Sequence, residues 1–214
     1  MTPIPRLPPF APGMRIGLLG GSFNPPHEGH ALITRLARRR LALDRVWWLV
    51  TPGNPLKSLT GLAALKARIE AARRLDVGPR VVVSDIEARI DSRFTYDTLL
   101  WLERRAAGVH FVWIMGADNL CQFHLWRHWR QIADLVPIVV VDRPGSTLKA
   151  ISSPAGSALA RWRVPERDAA RIATMRPPAL LFLHGPRSGL SSTALRRVGR
   201  PEDGDWAWIR SGHV

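Results

Sequence analysis

Short apolar runs rich in Val, Ile and Leu recur along the chain, and most lead into a stretch whose apolar positions return every three or four residues. The runs are RIGLLG (15–20), RVWWLV (45–50), RVVVSDI (80–86), VHFVWIM (109–115), VPIVVV (136–141) and ALLFLHG (179–185). They hardly alternate with polar residues. A strand with one wet face alternates, whereas a strand covered on both faces does not, so these runs predict buried strands of a parallel sheet. Between them, HALITRLARRRLAL (30–43) places Leu32, Ile33, Leu36 and Leu41 on one helical face. LAALKARIEAARRL (62–75) does the same with Leu62, Leu65, Ile69 and Ala72. Further helices are expected near 95–107, in a stretch through 132, and in two pieces over 146–176, the second starting near Pro165. SSTALRRVG (191–199) opens a last helix.

Strands and helices in alternation predict an α/β protein with a doubly wound parallel sheet. Ligands of such sheets sit beyond the carboxyl ends of the strands. No internal repeat or boundary interrupts residues 14–200, which read as one domain. Residues 1–13, MTPIPRLPPFAPG, read as a flexible Pro-rich tail, and 201–214 as a C-terminal tail.

Composition narrows the class. At 46% hydrophobic residues the chain can bury a core. Cys121 is the single cysteine, so no internal disulfide forms. No apolar run reaches membrane-spanning length and the first residues lack a signal peptide's apolar stretch, so a cytoplasmic protein with no membrane partner is expected. The formal charge of +14 favours anionic partners. The basic residues are mostly Arg, with lysine only at Lys57, Lys66 and Lys149, a skew that codon bias produces as readily as function. A solvated basic surface is favoured over a nucleic-acid groove.

The candidate chemistry lies at strand ends. Residues 20–30 read GGSFNPPHEGH. Gly20 and Gly21 let backbone approach a ligand closely. His27 and His30, three residues apart at a helix start, share a face. With the amides and dipole of that helix start they make a compact phosphate clamp. Metal ligation is the alternative, but no cysteine or second carboxylate stands at useful spacing. Near the far end, Ser191, Ser192 and Thr193 offer hydroxyls and amides at another helix start, and Arg196 lies one turn further in. Asp118 follows a buried strand, a place where ionisable groups serve function more often than packing. By pattern alone, Trp126 and Trp129 are both favoured as amphipathic helix packing.

The string GGSFNPPHEGH resembles the signature of the H-x-G-H nucleotidyltransferase superfamily, here His27-Glu28-Gly29-His30, and LSSTALR (190–196) is similar to its second motif. Within it, four further stretches resemble the bacterial nicotinate-nucleotide adenylyltransferase family: NPLK (54–57), FTYDTL (94–99), WIMGADNL (113–120) and LWRHW (125–129). The resemblance covers roughly residues 14–200 and implies a Rossmann-like nucleotidyltransferase fold. It departs from the family at Asn24, where Asp is common, at Leu56, where His is common, and at Arg127, where an aromatic residue is common.

The resemblance implies that the adenylyl group of ATP passes to nicotinate mononucleotide, with Mg²⁺ arriving on ATP. It implies that His30 stabilises the α-phosphate. His27, Lys57, Ser191, Ser192, Thr193 and Arg196 would hold the other phosphates, and Gly20, Gly21, Ser22 and Phe23 would line the nucleotide. It places Thr95 by the mononucleotide, Asp118 near a ribose and Trp126 on the pyridine ring. Two other classes compete. An RNA-binding protein would use the charge and the tryptophans but leaves the strand-end motifs unexplained. A nucleotide sensor would bind ATP without chemistry, against which the intact histidine pair argues.

Overall fold

The computed structural model describes residues 5–53, 56, 60–75, 77–142 and 146–185. Its centre is a seven-stranded sheet whose pairings are all parallel. The strands are β1 (Arg15–Gly21), β2 (Arg45–Val50), β3 (Val81–Ser84), β4 (His110–Gly116), β5 (Ile138–Val141), β6 (Arg163–Val164) and β7 (Leu180–Leu183), in the order β3-β2-β1-β4-β5-β7-β6. The order reverses between β1 and β4, which makes their carboxyl ends the crevice of the fold. The six expected strands are present. β6 is an addition, two residues long, too short for any pattern to reveal.

The absence of alternation has its cause in two cores. Ile16, Leu18, Trp47, Phe111, Trp113, Ile138 and Leu180 point to one face of the sheet. Leu19, Val46, Trp48, Val112, Ile114, Val139 and Leu181 point to the other. The first face is covered by α4 (Thr95–Arg105), α5 (Ala117–Leu120) and α6 (Trp129–Leu135), through Leu99, Leu102, Leu120 and Ile132. The second is covered by α1 (Glu28–Arg40), α2 (Leu65–Arg74) and a 3₁₀ stretch, Glu166–Thr174, through Ile33, Ala37, Ile69, Ala72 and Ile172. A one-turn helix, α3 (Ile86–Arg89), follows β3.

Local chemistry sets the helix ends. Ala42 at φ 50° closes off the turn after α1, short of the expected residue 43. The stretch expected to be helical through 132 breaks into α5, a 3₁₀ turn Phe123–Leu125 and α6, with His128 left-handed at φ 56° just before α6. Residues 146–164 form α7 (Thr147–Ile151), α8 (Pro154–Ala158), a 3₁₀ turn and β6. Pro165 does precede the second piece, which is 3₁₀ rather than α. Part of the Pro-rich N-terminal stretch lies along the domain: Arg89 donates to the Arg6 carbonyl at 3.0 Å, Gly13 N–H to Gly108 at 2.7 Å, and Leu7 packs on the first core. Among the described residues no helix is long and apolar enough to cross a membrane.

Candidate active site

The crevice has two sides, one on each face of the sheet. On the second face, β1 ends at Gly21 and the chain turns through Phe23, left-handed at φ 47°, and the cis Asn24–Pro25 bond into α1. His27 is the N-cap of α1 and is buried, while His30 is half-buried in its first turn. Their ring centroids are 3.9 Å apart. The His27 N–H donates to Nδ1 of His30 at 3.2 Å. His30 also lies 4.6 Å from the Phe23 ring, which stacks at 4.9 Å on Trp48, and Trp48 Nε1 donates to Thr34 at 2.8 Å. The imidazole is thus held on a column of rings whose base is fixed in the core. Ring contacts of this geometry contribute about 0.5–1.5 kcal/mol each beyond area burial.

On the first face, Trp113 of β4 is buried and its ring fills the space beside Gly20. A Cβ on Gly20 would stand 2.5 Å from Trp113 Cη2. Gly20 is therefore glycine because an indole occupies its side-chain position. A Cβ on Gly21 would lie 3.4 Å from Phe23. Trp126 packs edge-on against Trp113 and Phe123, at 6.1 and 5.4 Å, and stays half-buried, whereas Trp129 is in the core. The two tryptophans that pattern alone treated alike differ in burial. Thr95 is the first residue of α4, whose N-cap, Phe94, provides no side-chain cap. Helix geometry leaves the first amides of such a helix without an intrahelical acceptor. Asp118 is exposed in α5, directly beyond β4.

Arg68 and Glu87, both buried and ionisable, were not singled out by the sequence. Arg68 of α2, 1% exposed, donates to Ser22 O at 2.6 Å, Thr51 O at 2.8 Å, Pro52 O at 3.3 Å and Ala63 O at 2.8 Å. One guanidinium thus ties the β1–α1 turn to the β2–α2 connection, and burial lowers its pKa from the ordinary value. Asn24 completes the tie: Nδ2 donates to Gly61 O at 2.9 Å and Oδ1 accepts from Ala63 N–H at 3.2 Å. An ionised Asp could accept there but not donate. Glu87 of α3 is buried and hydrogen-bonds Thr51 and Thr98; burial outweighs those bonds and pushes its carboxyl up to about 7. The apolar stripe Leu65, Ile69 and Ala72 runs through position 68, so an arginine on that face was the available signal. Nothing in the sequence around Glu87 distinguishes it.

The sheet order, the crevice at β1 and β4 and the histidine pair define the class, a Rossmann-like nucleotidyltransferase. The sequence profile of the cytidylyltransferase-like family matches residues 18–198. Curated relatives named probable nicotinate-nucleotide adenylyltransferase are similar over nearly the whole chain. That of a Bradyrhizobium sp. is 55% identical over 92% of this chain and 100% of its own length, and that of Methylorubrum extorquens 59% over 86% and 99%. The Brucella suis relative is 51% identical over 86% and 95%. The chain belongs to the nicotinate-nucleotide adenylyltransferase family. Among solved structures, Plasmodium falciparum nicotinic acid mononucleotide adenylyltransferase, complexed with APC, aligns with TM-score 0.63 at 14% identity over 86% of this chain and 83% of that one. At that identity the likeness establishes the fold.

His27, His30, Gly20, Gly21, Ser22 and Phe23 gather on one side of the crevice, and Trp126 on the other. Thr95 opens α4, which packs on the same face as Trp126, and Asp118 lies in α5 directly after β4. Lys57, Ser191, Ser192, Thr193 and Arg196 lie outside the described residues. Among the described residues no group of three or more His, Cys, Asp or Glu is placed to hold a metal ion.

Proposed function

We propose that this protein is a cytoplasmic enzyme that transfers the adenylyl group of ATP to nicotinate mononucleotide, releasing pyrophosphate and forming nicotinate adenine dinucleotide. The observation that carries the reading is the histidine pair at the carboxyl end of β1, on one face of the sheet, together with a half-buried tryptophan beside Trp113 of β4 and a helix start without a side-chain cap on the other face. Phosphates fit the first side, and a flat anionic ring fits the second.

The mononucleotide's phosphate is a monoester with a second pKa of about 6, so it is already mostly dianionic at neutral pH and no general base is required. Its oxygen attacks the α-phosphorus of ATP in line. The bond to the β-phosphate oxygen breaks, and pyrophosphate leaves with that electron pair. Catalysis then consists of alignment and charge stabilisation. With Nδ1 of His30 accepting from His27 N–H, the proton of the neutral ring sits on Nε2. That N–H is the donor for the α-phosphate oxygens as charge develops. His27, Lys57, Arg196, Ser191, Ser192 and Thr193 hold the β- and γ-phosphates, and Gly20, Gly21, Ser22 and Phe23 line the nucleotide. Trp126 stacks on the pyridine ring, the amides opening α4 at Thr95 meet its substituent, and Asp118 binds a ribose. The imidazole donors suit phosphate oxygens rather than Mg²⁺, which prefers oxygen ligands and water, so Mg²⁺ would arrive with ATP and would supply charge neutralisation when bound.

Incubation of the protein with ATP and each candidate mononucleotide, with pyrophosphate release as readout, tests the reading. Release with nicotinate mononucleotide supports it, and ATP binding without release under any pairing overturns it.

A further inference from the structure

Arg68 is a buried cation whose hydrogen bonds go to four backbone carbonyls, and among the described residues no carboxylate pairs with it. Buried charges are ordinarily paired, because burial without a counter-ion is costly. The buried carboxyl linked to it through Thr51, that of Glu87, titrates only near 7 and lends little counter-charge below that pH. Its place adds a second cost. Arg68 stands near the start of α2, a helix with no acidic residue in its first turn, and the positive end of a helix dipole opposes a cation there. Neutral donors can also hold carbonyls, so tying two connections together does not account for the charge. A bound anion does.

The geometry shows where that charge acts. The bond from Arg68 Nη1 to Ser22 O, at 2.6 Å, is the shortest of the four. The Ser22–Phe23 peptide is trans, so the Phe23 N–H points the opposite way from the bonded carbonyl. With Phe23 held at φ 47°, that N–H has no hydrogen-bond partner among the described residues. A peptide whose carbonyl is bound to a guanidinium is polarised, and its N–H becomes a stronger donor. The same turn runs on into His27 and His30.

We propose that Arg68 is a positioning residue for polyphosphate: through the Ser22–Phe23 peptide it aims a polarised N–H at the phosphates, and their charge balances its own when ATP binds. The inference deepens the function proposed above and rests on it in one respect, that the phosphates of ATP occupy the histidine side.

The test is equilibrium binding of adenosine and of ATP to the full chain in the wild type, Arg68→Met and Arg68→Lys. The wild type binds ATP more tightly than adenosine. Arg68→Met lowers that ratio by about tenfold and leaves adenosine within about twofold, as expected for removing one charge from a weakly screened site. Arg68→Lys, which keeps the charge, retains most of the ratio. A merely structural role weakens both ligands in proportion, so an unchanged ratio in Arg68→Met overturns the proposal. So does Arg68→Lys losing as much as Arg68→Met, because the charge would then contribute nothing. The wild type supplies a second measurement that no folding defect obscures. The nitrogen NMR resonance of Arg68 Nε moves on addition of inorganic pyrophosphate and not of adenosine, and a resonance indifferent to pyrophosphate overturns the proposal. A wild type that binds ATP no more tightly than adenosine instead overturns the phosphate assignment on which the proposed function stands.

Discussion

The backbone N–H of His27 donates to Nδ1 of His30 across the first turn of α1, at 3.2 Å. That bond fixes the tautomer of His30, and the ring column of Phe23 and Trp48 fixes its orientation. Preorganisation of this kind is what makes a donor effective in a transition state, since no reorientation is required as charge develops. His30→Ala is expected to lower kcat by roughly 10²–10³, the usual size for losing one such donor, with a much smaller change in KM for ATP. Steady-state kinetics on folded variant decide it: wild-type turnover removes His30 from the chemistry.

Trp126 has one edge in the core and the rest at the crevice. Full truncation of a buried tryptophan costs about 3–5 kcal/mol, and a half-buried one less. Trp126→Ala is expected to raise KM for the mononucleotide while leaving ATP binding intact, with a modest fall in Tm. A large fall in Tm at unchanged KM would return Trp126 to the packing role that fits Trp129.

Gly20 has a second reason to lack a side chain, the indole of Trp113. Its missing side chain makes room for Trp113, so Gly20→Ala meets an indole that is itself 2% exposed and has little space to retreat. Overpacking of this sort typically costs about 1–3 kcal/mol. Because Trp113 supports Trp126, the variant is expected to lose stability and to bind the mononucleotide more weakly. A normal Tm would show that Trp113 gives way at no cost and that the packing role assigned to Gly20 is wrong.

The sheet was legible because both faces of every long strand are covered, and the histidine pair because it is chemically unusual at a strand-to-helix turn. The residues that stayed hidden are those whose role depends on neighbours far along the chain. Arg68 is one arginine among several in an Arg-rich helix until its four carbonyl partners, drawn from two connecting segments, are in place. Asn24 looked like a defect in a motif, yet its amide donates to Gly61, a bond an ionised carboxylate cannot make.

Glu87 supplies a prediction in pH. Its carboxyl titrates near 7, raised from an ordinary 4.5 chiefly by burial. Between those values the native state holds a proton that the unfolded chain has released, so the stability of the fold falls as pH rises through that window and levels off above it. At ~1.36 kcal/mol per pKa unit, the full penalty is roughly 3 kcal/mol. Glu87→Gln is neutral at every pH and still offers a carbonyl and an amide to Thr51 and Thr98. Groups other than Glu87 titrate alike in both proteins, so the difference in Tm between variant and wild type isolates this one carboxyl. That difference should favour the variant by about 5–10 °C more at pH 8 than at pH 5, given ~2–4 °C per kcal/mol for a domain of this size. Thermal melts of both proteins at the two pH values measure it, and an equal difference at both would mean that Glu87 does not carry its proton in the native state.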